Sequence, residues 1–173
     1  MPLLRGRRDD DGGTKYQMRE KMFAIGDDYW IETDDGQRAF KVDGKALRLR
    51  ETLVLETPDG NEVFTIQEKK LSIRDKMDIE RDGDTVASVK KAVVSPLRER
   101  FSIDVEGGDD MEAKGNITDH EYKIERGGDQ VAEISKRWFR VRDTYGIEID
   151  EGQDDALILA ITVCIDQMTH DVG

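Results

Sequence analysis

Seven arginines are spaced so that they could meet a phosphate. Arg48 and Arg50, Arg98 and Arg100, and Arg140 and Arg142 are each two residues apart, and Arg74 matches Arg50 in an internal repeat. In extended chain a spacing of two puts both members of a pair on one face, opposite Leu47 and Leu49 or Phe139 and Val141. If the apolar set faces inward, the arginines face out. Lys45, Lys69, Lys70, Lys90, Lys91, Lys136 and Arg137 are expected near the bends. Guanidinium groups donate paired hydrogen bonds that suit a phosphate, so an anionic headgroup or another phosphate ligand is the sharp reading. A plainer reading competes and is favoured. Each Arg lies among carboxylates, and cross-strand ion pairs would absorb it while keeping a sheet soluble.

Other reactive side chains are few. His120 follows Asp119 in "NITDHEY", and an Asp-His neighbour pair could tune a general base. Adjacent residues on a strand point to opposite faces, however, so a structural histidine with a satisfied hydrogen bond is the favoured reading. One cysteine and two histidines exclude the usual zinc cluster. "DEGQDD" (Asp150–Asp155) lacks the spacing of an EF-hand loop, and its simpler role is to turn the chain and charge a helix N-terminus. Cys164 sits in an apolar run, where inert burial is expected. Trp30 and Trp138 are expected to pack in a core rather than face a ligand. No "GxxxxGK[ST]", "GxGxxG" or "GxSxG" occurs. The expectation is a non-enzymatic protein without cofactor or metal.

The chain has 173 residues, enough for one domain with a real core. Its formal charge of −12 repels nucleic acid and anionic surfaces on average, so no nucleic-acid partner is expected. Such an acidic, lysine-poor composition suits a salt-rich cytoplasm, as in a halophilic prokaryote. The single cysteine fits a reducing compartment. "MPLLRGRRDDDGG" has basic residues without a following apolar segment, so residues 1–15 read as a flexible arm rather than a secretory signal. Cytoplasmic location, with a peripheral position at a membrane as an option, is the expectation.

What must position the arginines is a sheet. From Tyr16 to Ile149 the hydrophobicity alternates at period two, punctuated by "TDDG", "TPDGN", "RDGD", "EGGDD" and "RGGD". A repeat overlies this rhythm. Phe40–Glu56, Phe64–Glu80 and Ala132–Glu148 align without gaps, with Arg-Asp/Glu at the eleventh and twelfth places and a closing apolar-Glu pair. Ala87–Glu106 fits after an insertion around Ser95-Pro96-Leu97. Each unit predicts two strands and a bend. A long meander leaves open edges, which closure into a barrel removes. About a dozen strands enclose more space than their own side chains fill.

The run "DDALILAITVCIDQM" (Asp154–Met168) supplies the filling. From Ala156 to Ile165 only Thr162 is conventionally polar. Ten such residues span roughly 15 Å as a helix, about half of a bilayer's hydrocarbon, so no transmembrane segment is predicted. With Asp154 or Asp155 at its N-terminus it reads as a helix, apolar all round and therefore enclosed on every side.

These segments, together with "MREKMFAIGDDYWIETDDGQRAFKVDGKALRLRETLVLETPDG", "VKKAVVSPLRERFSIDVEGG", "GNITDHEYKIERGG" and "VAEISKRWFRVRDTYGIEI", resemble the LURP-one-related family over about Tyr16 to Met168. The resemblance implies the Tubby C-terminal-like fold shared with phospholipid scramblases: a mainly β, twelve-stranded closed antiparallel barrel around a central hydrophobic helix at about 154–168, with a tail at 169–173. It implies no settled activity. Tubby-like domains bind phosphoinositide headgroups, scramblases act on lipids, and plant members are associated with defence. A peripheral binder of anionic headgroups, or a scaffold with a protein partner, is the expected role. Scramblase-like lipid transport is the alternative, disfavoured because no membrane anchor is present.

Overall fold

The structure is a computed structural model that describes residues 13–19, 28–44, 52–68, 76–95, 98–138 and 144–170. Twelve strands and one helix follow in order. They are β1 (Thr14–Arg19), β2 (Asp28–Thr33), β3 (Arg38–Gly44), β4 (Thr52–Glu56), β5 (Glu62–Glu68) and β6 (Lys76–Arg81). Then come β7 (Asp84–Ser95), β8 (Arg98–Val105), β9 (Met111–Asn116), β10 (Glu121–Arg126), β11 (Asp129–Ser135), β12 (Thr144–Ile149) and α1 (Asp155–His170). Each strand pairs antiparallel with the next, and β1 closes on β12, so the sheet is a closed barrel. Closure pairs the backbone groups that an open meander would leave at two edges.

Alternation decides which side chains enter the lumen. Phe40 and Val42, Phe64 and Ile66, Phe101 and Ile103, and Tyr145, Ile147 and Ile149 are all buried. Their neighbours Lys41, Thr65, Ser102 and Glu148 are more exposed. The repeated units each correspond to a strand pair: β3–β4, β5–β6, β7–β8 and β11–β12. Their closing apolar-Glu pair has a structural meaning. The register shifts at Leu55/Glu56 and Ile79/Glu80, and likewise at Ile31/Glu32 and Ile124/Glu125. Such a bulge beside a hairpin turn bends and twists the strand, which helps curl the sheet shut.

The turns carry the residues that their backbone requires. At the β6–β7 turn Asp82 and Gly83 both have positive φ (53° and 85°), the conformation of a two-residue hairpin loop. At the opposite end of the barrel Gly115 has φ 138°, and a Cβ there would lie 2.8 Å from Glu121 O and Tyr122 Cα. Only glycine lets β9 approach β10 that closely.

α1 runs through the lumen. Leu157 N donates to Asp154 Oδ1 at 3.2 Å, so Asp154 is the N-cap, and Tyr16 OH donates to Asp155 Oδ2 at 2.7 Å from the barrel wall. From Ile158 to Met168 every helix residue is buried. Thr162 satisfies its hydroxyl by donating to Ile158 O. Sixteen residues give a length of about 24 Å. No helix among the described residues is long and apolar enough to cross a membrane.

Candidate functional site

The β9–β10 turn folds His120 into the barrel. His120 N donates to Ile117 O at 3.1 Å, and His120 itself adopts a left-handed φ of 53°. That twist turns the imidazole away from solvent, leaving the residue 1% exposed. Its partner is not the neighbouring carboxylate. Asp119 is exposed and accepts from Asn116 Nδ2 at 2.7 Å, so the adjacent Asp-His pair, the disfavoured reading, does not form. His120 Nε2 instead lies 2.7 Å from Asp166 Oδ1, on the last turns of α1.

Asp166 organises this end of the lumen. Tyr145 OH, from β12, donates to its other oxygen at 2.7 Å, and the Tyr145 and His120 rings stack with centroids 4.2 Å apart. Tyr145 OH also lies 3.7 Å from Met18 Sδ on β1. Burial pushes the phenols of Tyr29, Tyr122 and Tyr145 well above their ordinary range, and the Asp166 charge pushes them further. Thus one carboxylate from the helix is met by a histidine and a tyrosine from two separate walls of the barrel. The helix is held in depth and rotation by polar contacts as well as by apolar packing.

This arrangement locks the helix to the barrel. The groups are buried in the lumen, and the His120–Asp166 and Tyr145–Asp166 bonds both join the helix to the barrel. Cys164, two residues earlier, is also buried, and its thiol is pushed up mainly by that burial and further by the Asp78 charge. On the wall Asp78 accepts from Ser88 Oγ at 2.7 Å.

The arginines can be placed only in part. Arg48, Arg50, Arg74, Arg140 and Arg142 lie outside the described residues, and Arg98 is placed only as the first residue of β8. Arg100 points outward, half-exposed, and Nη1 is 3.2 Å from Glu112 Oε1 on β9. This is the cross-strand ion pair of the plainer reading. Lys90 and Lys91 sit within the long β7 rather than near a bend, and Lys90 Nζ is 2.8 Å from Asp104 Oδ2. Arg137 is 84% exposed and 3.9 Å from Glu121.

The tryptophans correct another expectation. Trp30 projects outward between the buried Tyr29 and Ile31, with the Arg38 guanidinium 4.4 Å from its ring. Lys15 Nζ lies 5.8 Å from the Trp138 ring. Both indoles are half-buried under cations and neither belongs to the core. The Asp150–Asp155 segment does turn the chain as anticipated: Asp150 N donates to Val131 O, and Gly152 takes φ 85°.

Asp119→Ala should change stability by no more than about 0.5 kcal/mol, the usual range for an exposed turn residue. His120→Ala and Asp166→Ala should each cost about 3–5 kcal/mol, because each leaves a buried polar partner behind. Urea denaturation of the three variants and of the double variant checks this. The double should cost clearly less than the sum, and an additive result would contradict the coupling.

The buried phenols and thiol also set an alkaline limit. Their folded pKa values are raised, so the unfolded chain releases protons first as pH rises. Stability should be fully present below about pH 9 and fall above it, by up to about 1.4 kcal/mol per pH unit for each group, until the folded groups ionise. Urea midpoints at about pH 8 and about pH 10.5 measure the slope, and Tyr29→Phe should make it shallower. A midpoint unchanged between these pH values would contradict the burial.

Residues 14–166 match the family model described as LURP-one-related. None of the curated proteins matches the chain. Among solved structures, that of a protein from Arabidopsis thaliana is similar, with a TM-score of 0.67 at 16% identity over 96% of this chain and 98% of that one. At that identity the likeness concerns the fold, which is the Tubby-like barrel with its enclosed helix. With nearly its whole length matched by the family model, the chain belongs to the LURP-one-related family.

Proposed function

We propose that this protein is a non-catalytic binder of an anionic, phosphate-bearing ligand, engaged from the end of the barrel opposite the Asp-Gly turns. The carrying observation is the crowding of exposed carboxylates at one end of the barrel, against the basic composition of three other connecting segments. Asp35, Asp59, Asp82, Asp84, Asp109, Asp110, Asp129, Glu151 and Asp154 are all exposed at or beside the turns of one end. That pole repels anions, and the repulsion persists over about 8–10 Å at ordinary ionic strength.

The chain segments between β3 and β4, β5 and β6, and β11 and β12 differ from these turns in composition. Residues 45–51 contain Lys45, Arg48 and Arg50, residues 69–75 contain Lys69, Lys70 and Arg74, and residues 139–143 contain Arg140 and Arg142. The exposed Arg137 leads into the last of these. The resulting polarity would orient the molecule at a negatively charged surface despite its net charge of −12. The same asymmetry gives no reason to expect general affinity for nucleic acid. A binding rather than catalytic role is further supported by His120, which is committed to Asp166 and Tyr145 in the core.

Vesicle co-sedimentation provides the test, with phosphatidylcholine alone, phosphatidylcholine with phosphatidylserine, and phosphatidylcholine with a phosphoinositide. Calorimetry with free inositol phosphate separates a headgroup in a membrane from a soluble phosphate. Wild type should bind the anionic arm and lose it when Arg48, Arg50, Arg140 and Arg142 are changed to Glu. Arg100→Glu should bind as wild type does, since Arg100 is already occupied by Glu112. No binding in any arm would refute the proposal. Lipid flipping in proteoliposomes would instead support scramblase-like transport, and none is expected.

A further inference from the structure

The barrel is not equally closed around its circumference. β1 shares six register pairs with β12, from Thr14↔Ile149 to Arg19↔Thr144. Among the described residues it shares two with β2, Tyr16↔Thr33 and Gln17↔Glu32. β2 in turn shares five with β3, from Asp28↔Asp43 to Glu32↔Arg38. So each strand of the β1–β2 seam is held mainly by its other neighbour. Gln17 also stitches the seam through its side chain at the paired part. Gln17 Nε2 donates to Thr33 O at 3.0 Å and to Glu32 Oε2 at 3.3 Å.

Beyond Gln17 the ladder between β1 and β2 is not continued among the described residues, at Met18 on one side and Tyr29 to Ile31 on the other. This is the level of the polar cluster. Met18 is the register partner of Tyr145 and lies 3.7 Å from its hydroxyl, which itself bonds Asp166. Tyr29, across the seam, feels the charge of Asp166 and the neighbourhood of Cys164. Among the described residues the ladder with the fewest pairs therefore runs past the polar end of the enclosed helix. Local openings in proteins begin where the fewest cooperative bonds must be broken, and a two-pair ladder is such a place.

We propose that the barrel opens at the β1–β2 seam, with β1 remaining on β12, and that this opening is the route by which solvent and small solutes reach Asp166, His120 and Cys164. A long closed sheet then behaves as a hinged wall with one weak join. The opening is independent of whether the basic segments bind phosphate.

The chain's single cysteine reports on it. The rate of maleimide labelling of Cys164 under native conditions measures how often the lumen opens. Gln17→Cys with Glu32→Cys, oxidised to a disulfide, locks the seam and leaves Cys164 as the remaining thiol. Lys90→Cys with Ser102→Cys, oxidised in the same way, locks a register pair of the β7–β8 wall as a control. The seam lock should slow labelling by about tenfold or more, and the wall lock should leave it within about threefold of wild type. Equal slowing by both locks would assign access to global unfolding and overturn the proposal, as would no slowing by the seam lock. Amide hydrogen exchange of the unmodified chain gives a second reading. The seam-facing amides of β1 and β2 should exchange faster than those between β7 and β8, and equal protection would overturn the idea without any engineered cysteine.

Discussion

A helix with no polar face and a sheet with too much interior solve each other's problem, and the rest of the structure depends on that match. α1 is buried from Ile158 to Met168, which an ordinary surface helix could not achieve. The twelve strands surround a space that their own inward side chains do not fill. Placing one inside the other removes apolar surface from water on both elements at once. The repeated bulges at Leu55/Glu56 and Ile79/Glu80 curl the sheet, and the Asp154 cap with the Tyr16–Asp155 bond sets where the helix enters.

Apolar packing alone would leave the helix free to slide or rotate among similar aliphatic neighbours. Asp166 removes that freedom. A carboxylate inside the lumen is tolerable only with hydrogen-bonding partners, and His120 approaches it from the β9–β10 turn and Tyr145 from β12. We read the cluster as a registration device whose cost is offset by specificity. Its partners are supplied by features that look incidental in the chain, such as the left-handed backbone of His120 and the close approach permitted by Gly115.

Much of the fold was legible in the residues. Period-two alternation, the Asp-Gly turns and the apolar-Glu repeat define the strands, and the all-round apolar run defines the plug. The site was less legible, for physical reasons. Alternation says which face a side chain occupies but not which distant residue it meets, so the pairing of His120 with Asp166, 46 residues apart, followed from the barrel's register rather than from adjacency. Asp119 was the nearer carboxylate and the wrong one. Trp30 shows the opposite failure: a large aromatic was expected inside, whereas strand parity places it outside under Arg38. Arg100 met a carboxylate across the strand, as surface charge usually does, and five of the other arginines lie outside the described residues.

The central claim is that the barrel and its helix stabilise one another and that neither is stable alone. Ending the chain at Asp150 and following its denaturation by near-ultraviolet circular dichroism tests this most directly. The account predicts that the shortened chain loses its near-ultraviolet signal and shows no cooperative urea transition. A native-like signal with a sigmoidal transition would show that the barrel stands empty, and would contradict it.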